Sequence, residues 1–148
     1  MLSVKTNSIM AMTGSMESQP VVSESDMERL REWAHRPTVS PTQRALLEGI
    51  EATALFVDSA EMPPDVVTMN TTVECTSTDG TETHTWTLAY PLEADYQRGR
   101  LSVLSPTGIA LLGARCGQVI TCLPPSGAPV HYVIGKILLQ PESRRLSG

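Results

Sequence analysis

The sequence predicts an α+β fold: a short antiparallel helical hairpin followed by an antiparallel sheet domain carrying one short helix. Three observations predict it. Apolar residues recur at helical spacing on both sides of a proline-bounded turn, from Arg36 to Pro41. Pro63 and Pro64 then break the chain, and beyond them the apolar pattern changes from helical to alternating. Asp79-Gly80 sits between two alternating segments whose apolar faces coincide in a hairpin register. Three parts follow: a disordered tail over 1–22, the helical hairpin over 23–62 and the sheet domain over 63–148.

The tail is expected because residues 1–22 are rich in Ser, Thr and Met and show no sustained period. Met1, Met10, Met12 and Met16 are all candidate starts, so no role is assigned to this stretch. The first helix is expected over 23–36. Ser23, Ser25 or Asp26 can cap it, Met27, Leu30, Trp33 and Ala34 share one face, and Pro37 stops it. The second is expected over 41–60, with Ser40 as its cap and Pro41 in its first turn. Its stripe is Leu47, Ile50, Ala54 and Val57. Two apolar stripes joined by so short a turn cover each other as an antiparallel hairpin.

In the sheet domain, Val73 and Cys75 point to one face while Thr72, Glu74 and Thr76 point to the other. A two-residue turn at Asp79-Gly80 pairs Cys75 with His84 and Val73 with Trp86, so His84, Trp86 and Leu88 join the apolar face. Residues 91–100 read as a loop and 101–104 as a short strand. Ser105-Pro106 starts a short helix that Gly113 ends. Two strands follow, at 118–123 and 129–139, joined by a turn at Pro124, Pro125, Ser126 and Gly127. Gly135 marks a bulge in the last strand.

Composition narrows the function. Of 148 residues, 41% are hydrophobic but only 4% aromatic, which argues against an aromatic-lined ligand pocket and against a base-stacking platform. A net charge of −5 argues against a nucleic-acid-coating surface, so no direct nucleic-acid contact is expected. The charge concentrates in 21–62, which holds eight acids and four arginines. Cys75, Cys116 and Cys122 have neither disulfide nor zinc-ribbon spacing and read as reduced thiols. No apolar run spans a membrane and no secretory leader is evident, so the expected compartment is the cytoplasm.

No catalytic constellation emerges. His35, His84 and His131 lack ligand spacing with one another or with a cysteine, although His84 and His131 could meet across the sheet. Ser105 lacks a nucleophile-elbow context, and no Lys-Ser or Lys-Thr follows Gly108 and Gly113, so the phosphate-loop pattern fails. The pairs Asp58 with Glu61 and Glu93 with Asp95 read as solvated surface charge. No catalytic, cofactor-binding or metal-ligating residue is assigned.

The run LSVLSPTGIALLG at 101–113, continued by RCGQVI at 115–120, resembles the C-terminal signature of bacterial Gre transcript-cleavage factors, with Gln118 where that family usually has Asp. The upstream run EMPPDVVTMN at 61–70 resembles the regulators of nucleoside diphosphate kinase, relatives of the Gre factors with a truncated arm. The match covers roughly 24–142. The resemblance implies an FKBP-like C-terminal domain docked on RNA polymerase at the rim of the secondary channel, with the hairpin pointing inward. In Gre factors, acidic residues at the hairpin tip help to hold a catalytic magnesium, an ion that takes oxygen ligands.

This chain departs from that pattern. Arg36 to Pro41 include no Asp or Glu, and the arm is short. The implied function is therefore a transcription regulator that binds polymerase and competes with Gre-type factors without stimulating transcript cleavage. The docking residues implied are Ser105, Pro106, Thr107, Gly108 and Ile109, with a tip of Pro37, Thr38, Val39, Ser40 and Pro41, of which Thr38 and Val39 are the candidates to meet the channel mouth. Trp33, Trp86, Tyr90 and Tyr132 read as packing residues. Two alternatives stand beside this. One is regulation of nucleoside diphosphate kinase, direct or through altered transcription, although no nucleotide loop is present. The other is prolyl isomerisation, which needs an aromatic pocket that this composition does not favour.

Overall fold

A computed structural model describes residues 19–122 and 127–143 of the chain. The expected tail up to residue 18 and the turn residues Pro124, Pro125 and Ser126 lie outside the described residues. The first element is β1 (Val21–Ser23), where a tail had been expected. Val21 and Val22 are 3% and 1% exposed. β1 pairs in parallel with β2 (Leu55–Val57), and Val21 N also donates to Gly113 O at 3.1 Å. Three residues are too few to show a period, and the partners that make this strand lie more than thirty residues away.

Two helices lie between these strands. In α1 (Glu24–Ala34), the Ser23 hydroxyl caps the start by accepting from Asp26 N, and Met27, Leu30 and Ala34 are buried. In α2 (Pro41–Thr53), Ser40 and Gln43 form a reciprocal capping box, with Pro41 in the first turn. The pair is tied by Arg31 to Glu51 at 2.5 Å and by Arg44 Nε to Ala34 O at 2.7 Å. α2 is shorter than expected: it ends at Thr53, and Leu55, Phe56 and Val57 are extended. An apolar, branched and aromatic triplet suits a strand once a partner edge is available, so the helical spacing of Ala54 and Val57 is incidental.

A 3-10 turn at Ser59–Glu61 leads into 62–71, whose Val66, Val67 and Met69 are fully buried. Backbone groups here bond across the fold: Val67 N donates to Ala114 O and Gly113 N to Val67 O, both at 2.8 Å. Asn70 turns the chain with φ 67°, a conformation asparagine tolerates.

The five-stranded sheet contains β3 (Thr72–Ser77), β4 (Thr83–Ala89), β5 (Arg100–Ser102), β6 (Val119–Cys122) and β7 (Val130–Leu139). Its order is β5-β4-β3-β7-β6. The expected hairpin register holds, with Val73 opposite Trp86 and Cys75 opposite His84. The connection is longer than two residues: Ser77 N donates to Glu82 O and Gly80 N to Ser77 O, each at 2.8 Å, with Gly80 at φ 78°. Asp79 Oδ1 accepts from Ser77 Oγ, Thr81 N and Thr81 Oγ1, so a side chain organises the turn.

Gly135 is the expected bulge. Glu74 faces Lys136 and Cys75 faces Ile134, leaving Gly135 unpaired between them. The sheet is antiparallel except at β5, which joins β4 in parallel. The three-residue β5 reaches that edge after the 3-10 turns Pro91–Glu93 and Tyr96–Arg98. The short helix α3 (Pro106–Leu111) packs on the sheet with Leu111 buried. One core joins all parts, with Met27, Leu30 and Leu47 from the helices and Val73, Leu88, Leu101 and Ile134 from the sheet.

Candidate interaction surface

The start of α3 is built by Ser105. Its hydroxyl accepts from Gly108 N at 3.0 Å and donates to Ser102 O at 2.7 Å. That geometry presses Gly108 onto the preceding strand, where a Cβ would lie 2.0 Å from Ser102 O. Ser105 and Gly108 are thus committed to the local fold. Ile109 is half-buried against the core and Thr107 is half-buried, while Pro106 is exposed. Of the five residues expected at the docking surface, Pro106 offers the open side chain, and the others shape the ledge that presents it.

At the helix turn, Pro37, Thr38, Ser40 and Pro41 are exposed. Val39 is only 3% exposed. Its expected place at the channel mouth is therefore corrected: the valine folds inward, and Val39 N donates to Arg36 O at 3.1 Å. Arg44 holds the turn from below through Ala34 O and, at 3.4 Å, Val39 O. The Arg36 guanidinium stands 3.9 Å over the Trp33 ring. The turn therefore presents arginine and histidine where a magnesium site needs carboxylates.

The helices are joined to the sheet through Asp26, which the sequence offered only as a cap. Its Oδ2 accepts from Met69 N at 3.3 Å and its Oδ1 from Tyr90 OH at 3.4 Å. Burial, with the Glu142 charge nearby, raises its carboxyl to about 6. Tyr90, read as packing, is 7% exposed and lies beneath Arg29, whose guanidinium is 5.8 Å from the ring centroid. The sequence signal was an acid in a helix first turn; its second partner lies 64 residues away and could not be read from spacing.

His84 and His131 do not meet: His84 Nε2 faces Glu82 Oε1 at 3.0 Å, and His131 Nδ1 faces Thr121 Oγ1 at 2.9 Å. Trp86 and Tyr132 gather with His84, packing on one another. All three cysteines are free, and burial pushes the Cys75 thiol up to about 12. Among the described residues no helix is long and apolar enough to cross a membrane.

Comparison with known proteins places this architecture. Residues 62–138 match the family described as "Transcription elongation factor, GreA/GreB, C-term". The regulator of nucleoside diphosphate kinase of Escherichia coli K12 is 33% identical over 125 residues, covering 83% of this chain and 91% of that protein. The transcription elongation factor GreA of Rhodospirillum rubrum is 33% identical over 87 residues, covering 59% of this chain and 55% of that protein. Among solved structures, a prokaryotic transcription elongation factor GreA/GreB from Nitrosomonas europaea superposes with TM-score 0.70 at 36% identity, covering 82% of this chain and 98% of that one.

Proposed function

Because the chain belongs to the GreA/GreB family, as a homologue of the regulator of nucleoside diphosphate kinase, we propose that it is a non-catalytic regulator that binds RNA polymerase near the secondary channel and competes with Gre-type factors without stimulating transcript cleavage. The observation that carries the reading is the contrast between the two ends of the molecule. The family match lies in the sheet domain, which the resemblance makes the docking module, while the helix pair lacks what cleavage requires.

That requirement is chemical and geometric. Magnesium takes hard oxygen ligands, and a cleavage factor must bring carboxylates to it. The segment 35–41 contains His, Arg, Pro, Thr, Val, Ser and Pro, and its one guanidinium, on Arg36, repels a cation. The donor set does not fit magnesium, and no cleavage step is assigned to this chain. The helices also fall short: at 11 and 13 residues they extend about 16 and 20 Å, at about 1.5 Å per residue. A module that occupies the docking rim with such an arm excludes a Gre factor without replacing its chemistry.

The test is retention of purified polymerase on the immobilised protein, displacement by a Gre factor, and a cleavage assay on a backtracked complex. Retention with mutual displacement and no added cleavage is expected. Absence of retention overturns the reading, and efficient cleavage overturns its non-catalytic part.

The name of the Escherichia coli relative favours a second reading, regulation of nucleoside diphosphate kinase. Altered transcription accounts for such an effect without direct contact. Mixing the purified proteins and assaying phosphotransfer separates the two: an unchanged rate leaves the indirect route.

A further inference from the structure

The half-buried ring cluster beside the β3–β4 turn has a composition that packing alone does not require. His84 and Trp86 alternate onto the same face of β4, and their rings stack with centroids 4.9 Å apart and planes 7° from parallel. Tyr132 enters from β7 and stands edge-on to both, at 5.7 and 5.1 Å. Glu82 closes the group. Its Oε1 accepts from Tyr132 OH at 3.2 Å and faces His84 Nε2 at 3.0 Å, so both contacts fall on one oxygen. The Glu82 side chain remains 56% exposed. Asp79 lies on the same turn. Hydrogen bonds from Thr81 and Ser77 hold Asp79 down to about 2, and those from His84 and Tyr132 hold Glu82 below the usual carboxylate range, so both are anionic at neutral pH.

The rest of the chain shows what is missing. Trp33 is covered by the guanidinium of Arg36, and Tyr90 by that of Arg29. Three half-buried acids elsewhere face arginines: Glu51 faces Arg31, Asp95 faces Arg98 and Asp65 faces Arg115. Among the described residues, the cluster beside Asp79 and Glu82 has rings and two carboxylates but neither a lysine nor an arginine in ion-pair contact.

We propose that Glu82, His84, Trp86 and Tyr132 form a receptor for an arginine side chain presented by the protein's macromolecular partner. A guanidinium suits it better than an ammonium. It is planar, stacks on a ring face, and donates through a fork that matches a carboxylate. His84, whose side chain is 40% exposed, receives the plane on the side away from Trp86, Glu82 Oε2 accepts an N–H group, and Asp79 adds attraction at longer range. The identity of the partner as polymerase rests on the function proposed above; the receptor itself does not.

Two measurements test it. In the first, indole and imidazole NMR signals of Trp86 and His84 are followed during titration with N-acetyl-arginine amide, with N-acetyl-citrulline amide as the uncharged isostere. Saturable shifts with arginine, with a dissociation constant on the order of millimolar for so small a contact, are expected. Citrulline is expected to move the signals at least ten times less, and Glu82→Gln to remove most of the response. Equal response to citrulline, or none to arginine, overturns the receptor. In the second, polymerase retention by E82Q is compared with wild type across a salt series. A loss of about tenfold with a shallower salt dependence is expected. Retention of E82Q equal to wild type overturns the receptor as a polymerase contact. If arginine amide binds but wild-type protein fails to retain polymerase, the receptor stands and the polymerase reading falls.

Discussion

The Tyr90 hydroxyl donates to Asp26 Oδ1 at 3.4 Å, joining the first turn of α1 to the end of β4. Met69 N reaches the other oxygen of the same carboxylate. One half-buried acid therefore ties the first turn of α1 to Met69 and to the end of β4 alongside the shared apolar core, and its charge opposes that role: burial and the Glu142 charge favour the neutral form.

The Asp26 carboxyl is raised from an ordinary 3.8 to about 6 in the folded chain. Between these values the folded state keeps a proton that the unfolded state has released. The contribution of Asp26 therefore favours folding most below about pH 4 and weakens as pH rises through 6, by about 3 kcal/mol in total. Asp26→Asn removes the titrating group while retaining an acceptor for Met69 N. Urea unfolding from pH 4 to 7.5 should show the variant gaining on wild type as pH rises; parallel curves would contradict the assignment.

Gly108 has no room for a side chain, since a Cβ would lie 2.0 Å from Ser102 O. Gly108→Ala must push α3 off β5, at a cost of about 3 kcal/mol. Thermal unfolding should register this as a drop of many degrees, whereas Pro106→Ala at the exposed neighbouring position should lower the midpoint far less.

Arg44 ties the helix turn by donating to Ala34 O and Val39 O. Arg44→Met keeps the aliphatic stem and loses these bonds, worth about 1–2 kcal/mol. Hydrogen exchange should accelerate over 35–40 while β3 and β7 remain protected. Uniform acceleration throughout the chain would mean that the arginine supports the whole fold and not the turn alone.

Charge and reach at the turn can be separated. Thr38→Asp combined with Ser40→Asp brings two carboxylates to the tip, and Asp retains the capping function of Ser40. Because the helices span only about 16–20 Å at 1.5 Å per residue, this variant should not stimulate cleavage in a backtracked complex. Cleavage by the double variant would show that missing charge, not missing length, is what silences the arm.

Much of this architecture was legible in residue order. Ser23, Ser40 and Ser105 cap helices because a short hydroxyl side chain reaches its own neighbouring amides, which is a local geometric fact. The pairing of Cys75 with His84 follows from alternation about one turn, and the Gly135 bulge from a residue without a Cβ. The candidate surface at 105–109 and at the turn has a different source: the resemblance to Gre factors proposes it.

The remainder depended on partners distant in the chain. β1 and β2 make three residue pairs that join segments 34 positions apart, and neither triplet has a period of its own. Val39 looked like an exposed tip residue until the packing of the two helices buried it. Asp26 gained a raised carboxyl only when Met69 and Tyr90 closed over it, and the Glu82–His84–Trp86–Tyr132 group exists only because β3 and β7 pair in one register. Caps, turns and alternation come from forces within a few residues, so the linear order reveals them. Burial, charge coupling and ring geometry arise between segments that meet only when the chain is closed.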